Sequence, residues 1–167
     1  MTQTESDDEP SRLLPFVSLV FPCVGVNDPV PIDLTNVKWE TKEPLTVVQL
    51  PPGGRFPYLV EKLYVYAHFT DGYGEFDLRV EMYRVLGNTR VDSDGGIPGE
   101  RVRKWRGPTR PVRLSTGNKL IPIDVAFECN DVPFEEPGIY EFHVLANEAP
   151  LPGNRGILKV LDRRTRL

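Results

Sequence analysis

The strongest constraint on the fold is a pair of long runs with a period of two, "YLVEKLYVYAHFT" (58–70) and "GEFDLRVEMYRVL" (74–86), joined through the turn-rich "DGYG". In the second run Phe76, Leu78, Val80 and Met82 alternate with Asp77, Arg79, Glu81 and Tyr83. That period belongs to a strand with one face toward a core and one toward water. The connection has hairpin length, so the two runs are expected to pair as an antiparallel hairpin. The first run places Leu63, Val65, Ala67 and Phe69 on one face and Tyr64, Tyr66 and His68 on the other. A strand with rings on its nominally wet side is either covered on both faces or lies beside a partner surface.

Further strand signals recur along the chain. "LPFVSLVFPCVGV" (14–26) is rich in β-branched and aromatic residues, and Pro22 interrupts it, which suits an edge strand or a bulge. "DLTNVKWETK" and "LTVVQL" read as short strands divided by Pro44, and "RVRKWRGPTRPVRL" (101–114) as an edge strand. In "NKLIPIDVAFEC" (118–129) Ile121, Ile123, Val125 and Phe127 share a face, and "GIYEFHVLAN" and "RGILKVLD" form a closing pair. The stretch 87–100, with Gly95-Gly96 and Pro98-Gly99, is a long loop. With 17 Pro and 14 Gly in 167 residues, turns are favoured over long helices, and no long helical period or internal repeat is present. The expectation is an all-β chain: an antiparallel β-sandwich of seven to nine strands. It has a flexible acidic tail over 1–11, one domain over 12–162 and a basic end over 163–167.

The spacing "PGIYEFHVLANEAPLPGNRGILKVL", preceded by "VYAHFTDGYGEFDLRVEMYRV", resembles a family of small uncharacterised bacterial β-sandwich proteins with an immunoglobulin-like or C2-like outline. The resemblance covers about residues 14 to 162 and implies the fold alone, with no activity, cofactor or catalytic residue attached. Tyr140, just after the Pro137-Gly138 turn, suits a tyrosine corner, with Phe142 and Val144 on its side of the strand and Glu141 and His143 on the other.

The net charge of −4 argues against a whole-molecule role on nucleic acid or an anionic membrane. No stretch reaches the length of a membrane span and the N-terminus lacks the pattern of a secretory signal, so a cytoplasmic location is expected. Cys23 and Cys129 fall outside any C-x-x-C spacing and read as two buried thiols, with a disulfide between sandwich faces as the alternative.

Three surfaces could carry a function. Arg101, Arg103, Lys104, Arg106, Arg110 and Arg113 crowd around Trp105, with Arg163, Arg164 and Arg166 in the tail. Such a segment protects an edge from aggregation, meets an acidic protein surface, or grips nucleic acid. Tyr64 and Tyr66, with His68 and with Tyr83 across the expected hairpin, form an aromatic face suited either to half-buried packing or to a protein partner. Asp71, Asp92 and Asp94, with Glu75 and Asp77, could gather at a calcium-binding rim, although Asp-Gly is also ordinary turn chemistry. His68 and His143 lack metal-ligand spacing, and Ser18, Ser93 and Ser115 lack a nucleophile elbow. The expectation is a non-catalytic protein-interaction or accessory module without cofactor. It would bind a protein partner through an edge strand or the aromatic face, with a calcium-binding sandwich and a nucleic-acid-binding accessory protein as alternatives.

Overall fold

A computed structural model describes residues 13–23, 45–50, 53–87, 97–114 and 123–162. The tail over 1–11, the basic end over 163–167, the strand expected at "DLTNVKWETK", and Asp92 and Asp94 lie outside the described residues.

The described chain is all-β, in two sheets. The strands are β1 (Phe16–Cys23), β2 (Val47–Gln49), β3 (Tyr58–Thr70), β4 (Gly74–Leu86), β5 (Glu100–Arg106), β6 (Arg110–Leu114), β7 (Ile123–Phe134), β8 (Gly138–Ala146), β9 (Ala149–Pro150) and β10 (Gly156–Leu161). The smaller sheet has the order β1-β3-β7. The larger runs β2-β10-β8-β4-β5, with β6 also on β4 and β9 on β8. Pairing is antiparallel throughout except for the short β2 beside β10. Val17, Val20, Leu63, Val65, Ala67, Phe69, Val125 and Phe127 of the smaller sheet bury against Phe76, Leu78, Val80, Met82, Phe142, Val144, Leu158 and Val160 of the larger. Two facing apolar sheets of this kind make a sandwich core.

The two longest strands do not form the expected hairpin. β3 pairs with β1 and β7, whereas β4 pairs with β8, β5 and β6, so residues 71–73 arch from one sheet to the other. The apolar faces of the two runs meet across the core and not side by side. Period two specifies which face is buried, but not whether the neighbour lies within the sheet or opposite it. Gly72 sits at the arch where a Cβ would fall 2.6 Å from Leu114 and 2.7 Å from Pro15, so the crossing is tightly packed. Asp71 takes φ 61° there, which is turn geometry.

The closing pair is as the sequence indicates: β8 and β10 are antiparallel neighbours, and Tyr140, Phe142 and Val144 enter the core. Between β7 and β8 the chain crosses back between sheets over residues 135–137. The fully buried Tyr140 hydroxyl donates to the Glu136 carbonyl at 2.7 Å, and its ring meets Phe134 edge-on at 4.9 Å. This is the tyrosine corner that the turn suggests, and it pins the crossing. Replacing Tyr140 by Phe keeps the ring and strands the carbonyl, so chemical denaturation should show a loss of about 1–2 kcal/mol. An unchanged midpoint would show that water satisfies Glu136 instead.

Candidate functional site

The smaller sheet carries an aromatic outer face, and a β-bulge builds it. β1 pairs with β3 at Val17↔Phe69 and then at Leu19↔His68, leaving Ser18 as the extra residue. Its hydroxyl donates to the main-chain carbonyl of His68 at 3.1 Å. The bulge shifts the phase of the strand. Val17 and Val20 therefore enter the core while Phe16, Leu19 and Phe21 face outward in rows with Thr70, His68 and Tyr66. Phe16 is 45% and Leu19 47% exposed. Phe21 stacks on Tyr66 with centroids 5.0 Å apart, and with Tyr64 they pack around buried Cys23 and Ala126.

The polar groups of this face are mutually satisfied. His68 Nδ1 lies 2.5 Å from Asp124 Oδ1 on β7, and Lys62 pairs with Glu128 at 3.4 Å. Burial first, and then a hydrogen bond to Asp124, pushes the Tyr66 hydroxyl well above its ordinary pKa. The result is an aromatic surface on which Lys62 and Glu128, and His68 and Asp124, answer one another. Tyr64 and Tyr66 thus stand together as expected, but Tyr83 does not join them. It lies on the outer face of the other sheet, stacked on His143 at 4.6 Å, because β3 and β4 are in different sheets.

The arginine-rich segment is an edge, interrupted once. β5 pairs with β4 from Leu86↔Glu100 to Glu81↔Arg106, and β6 resumes along β4 at Leu78↔Arg110. Gly107-Pro108-Thr109 bridge the gap, anchored by the Gly107 amide on the Val80 carbonyl at 2.9 Å. A second register shift, opposite Met82 and Tyr83, leaves Lys104 as the extra residue. Arg101, Arg103 and Arg106 consequently stand on the outer face, while Trp105 packs against the core cluster. The ring is thereby separated from the guanidinium groups of Arg101, Arg103 and Arg106, whereas Arg110 stays on its side.

On that outer face the expected contact with water is replaced by ion pairing. Glu81 and Glu141 are only 2% and 3% exposed. Glu81 accepts from Tyr83 at 2.5 Å and lies 3.4 Å from Arg103 and 3.2 Å from Arg106. Glu141 takes Arg101 through two nitrogens at 2.9 and 3.2 Å, and His143 Nε2 at 2.9 Å. Glu148 on the β8–β9 turn pairs with Arg79 and Arg106. Burial alone would raise the Glu141 pKa, but the hydrogen bonds from His143 and Arg101 outweigh it and hold the carboxyl at about 2. Alternation assigned Arg79, Glu81 and Glu141 to a polar face correctly. It could not show that strands on either side would bury them.

Lys104 reaches Glu135 at 2.5 Å and the Arg110 guanidinium donates to the Ala126 carbonyl at 3.1 Å, so both span from the larger sheet toward β7 and its following turn. Cys23 and Cys129 are free and buried. Cys23 lies opposite Tyr64, and Cys129 opposite Leu63, one position away on β3. They therefore face opposite sides of the sheet, which rules against the alternative of a disulfide between them. Burial pushes the Cys129 thiol up to about 12. Asp71 lies in the inter-sheet arch, and no group of three or more His, Cys, Asp or Glu side chains that could hold a metal ion occurs among the described residues. No helix among them is long and apolar enough to cross a membrane.

Phe16, Leu19 and Phe21 are the site residues that sequence reading missed. The signal was present in the nearly unbroken apolar run of β1, which marks a strand with apolar residues on both faces. The fold and this surface define an all-β, two-sheet protein with an aromatic outer face. Comparison with known proteins adds no nearer kinship: no family model, curated protein or solved structure matches the chain.

Proposed function

We propose that the chain is a non-catalytic, cytoplasmic protein-interaction module that binds a protein partner through the outer face of β1, β3 and β7. The observation that carries this reading is the phase shift at Ser18, which turns Leu19 and Phe21 to the same outer side as Phe16, beside Tyr64 and Tyr66. Aromatic and aliphatic side chains gathered on one charge-balanced surface form the centre of a typical protein contact. The tyrosine corner at the β7–β8 crossing favours an immunoglobulin-like outline for the sandwich over a C2-like one.

The test is capture of partners from the native cell by the unmodified chain and by a Leu19→Asp variant. Leu19 is about half exposed, so the variant should melt within a few degrees of the parent. The expected result is a partner retained by the parent and reduced by about 100-fold with Leu19→Asp, in line with loss of a central apolar contact. Equal retention by both proteins would remove the face from consideration.

A further inference from the structure

We infer that the β5/β6 edge forms a second docking surface, which takes an extended acidic segment of a partner and anchors one apolar side chain of that segment between the two sheets. The inference rests on the reading of the chain as a protein-binding module, but it centres on β5 and β6, in the other sheet from the aromatic stripe.

Three observations converge on it. Among the described residues β5 and β6 pair only with β4, so their outer edge offers main-chain donors and acceptors to an added strand. Where the ladder breaks at Gly107, a slot of about 280 Å³ opens between the sheets, walled by Trp105, Pro108, Phe127 and Cys129 with Arg110 and Glu128 at its mouth. Lys104 on Glu135 and Arg110 on the Ala126 carbonyl tie the two sheets together on either side of this opening and fix its width. A cavity of about 150 Å³ already accepts a benzene ring, so the slot has room for one leucine or phenylalanine side chain.

The charge pattern selects the rest of the occupant. Residues 100–114 carry six cations, Arg101, Arg103, Lys104, Arg106, Arg110 and Arg113, against the single carboxylate Glu100, and carboxylates from other strands and turns answer Arg101, Arg103, Lys104, Arg106 and Arg113. Arg103 and Arg106 have side chains 53% and 45% exposed, and together with Arg79 they share two carboxylates, Glu81 and Glu148, which leaves one cation in excess. A strand added beside β5/β6 alternates its side chains between the inter-sheet space and the outer face. An apolar residue directed into the slot therefore places its two neighbours beside Arg103 and Arg106, where aspartate or glutamate is favoured. The arrangement that blocks a chance edge-to-edge contact with a neutral strand also favours an acidic one.

The probe is a blocked pentapeptide with a central phenylalanine and aspartates on either side, titrated into a Trp39→Phe protein so that Trp105 is the only indole. The expected result is a saturable change in Trp105 emission, weakened about tenfold when salt rises from about 50 to about 500 mM. A peptide with glycine in place of phenylalanine, or lysines in place of the aspartates, should give no saturable change. Filling the slot by Cys129→Leu should abolish the response. If that variant does not fold, the three-peptide comparison on the native slot still decides. Binding of the glycine peptide equal to that of the phenylalanine peptide, or an absence of saturable binding, overturns the inference. The same titration on Leu19→Asp separates the two surfaces. Retained peptide binding with lost partner capture supports both, whereas partner capture by the parent without peptide binding leaves the aromatic face standing and removes the edge site.

Discussion

Acidification from a pH of about 4.5 toward 2 will strip away a contribution of about 3 kcal/mol that the Glu141 carboxylate makes to folding. The sign follows from its depressed pKa. In the unfolded chain the carboxyl protonates near its ordinary value of 4.5, whereas in the fold His143 and Arg101 keep it ionised down to about 2. The stabilisation is complete above the unfolded value and is lost as pH falls through the folded one. Urea titrations at a series of pH values should show this slope in the parent and a flatter one in Glu141→Gln. At neutral pH the Glu141→Gln protein should already be less stable by about 3 kcal/mol, because the Arg101 guanidinium would keep its place without a countercharge. Parallel pH profiles for the two proteins would show that Glu141 is not the group responsible.

Gly153→Ala should be the most damaging single methyl addition among the described residues that join the two sheets. Gly153 has φ +117° and bridges to Val17, and a Cβ there would fall 2.1 Å from the Val17 carbonyl oxygen and 2.9 Å from its nitrogen. These are main-chain atoms and cannot rotate away. The same contact carries two hydrogen bonds, from the Val17 amide to Pro152 at 3.0 Å and from the Asn154 amide to Val17 at 2.8 Å. Strain at a positive φ together with the lost bonds should cost about 3–5 kcal/mol. Because β1 is an edge strand held at this joint, hydrogen exchange should show its amides losing protection before those of β4 and β8. A midpoint within about 0.5 kcal/mol of the parent would mean that β1 is held by β3 alone. The proposed partner face would weaken with it, since Phe16, Leu19 and Phe21 are presented by that strand.

Much of the fold was legible residue by residue. Phe76, Leu78, Val80 and Met82 announced a buried face, Pro22 an edge, and Pro137-Gly138 with Tyr140 a pinned turn. The error was to read the short arch at 71–73 as a hairpin. A three-residue link can join neighbours in one sheet or carry the chain to the other, and the alternation of β3 and β4 is the same in both arrangements.

The aromatic face was half legible. Tyr64, Tyr66 and His68 were visible as rings on a wet side, yet their partners Leu19 and Phe21 were not, because Ser18 interrupts the alternation of β1 and brings them to the side of Phe16. At the arginine-rich edge the extra residue Lys104 likewise sends Trp105 inward and Arg106 outward, against simple period two.

The sequence by itself determined the secondary structure class, the inward faces of the long strands and the residue types at each surface, since those follow from local periodicity and turn chemistry. Tertiary structure alone decided which strands share a sheet, how two bulges re-aim the side chains beyond them, and which carboxylates are buried. The physical reason is that pairing, phase and desolvation depend on neighbours distant in the chain. Glu141 reads as an ordinary surface residue until Arg101, forty positions away, closes over it.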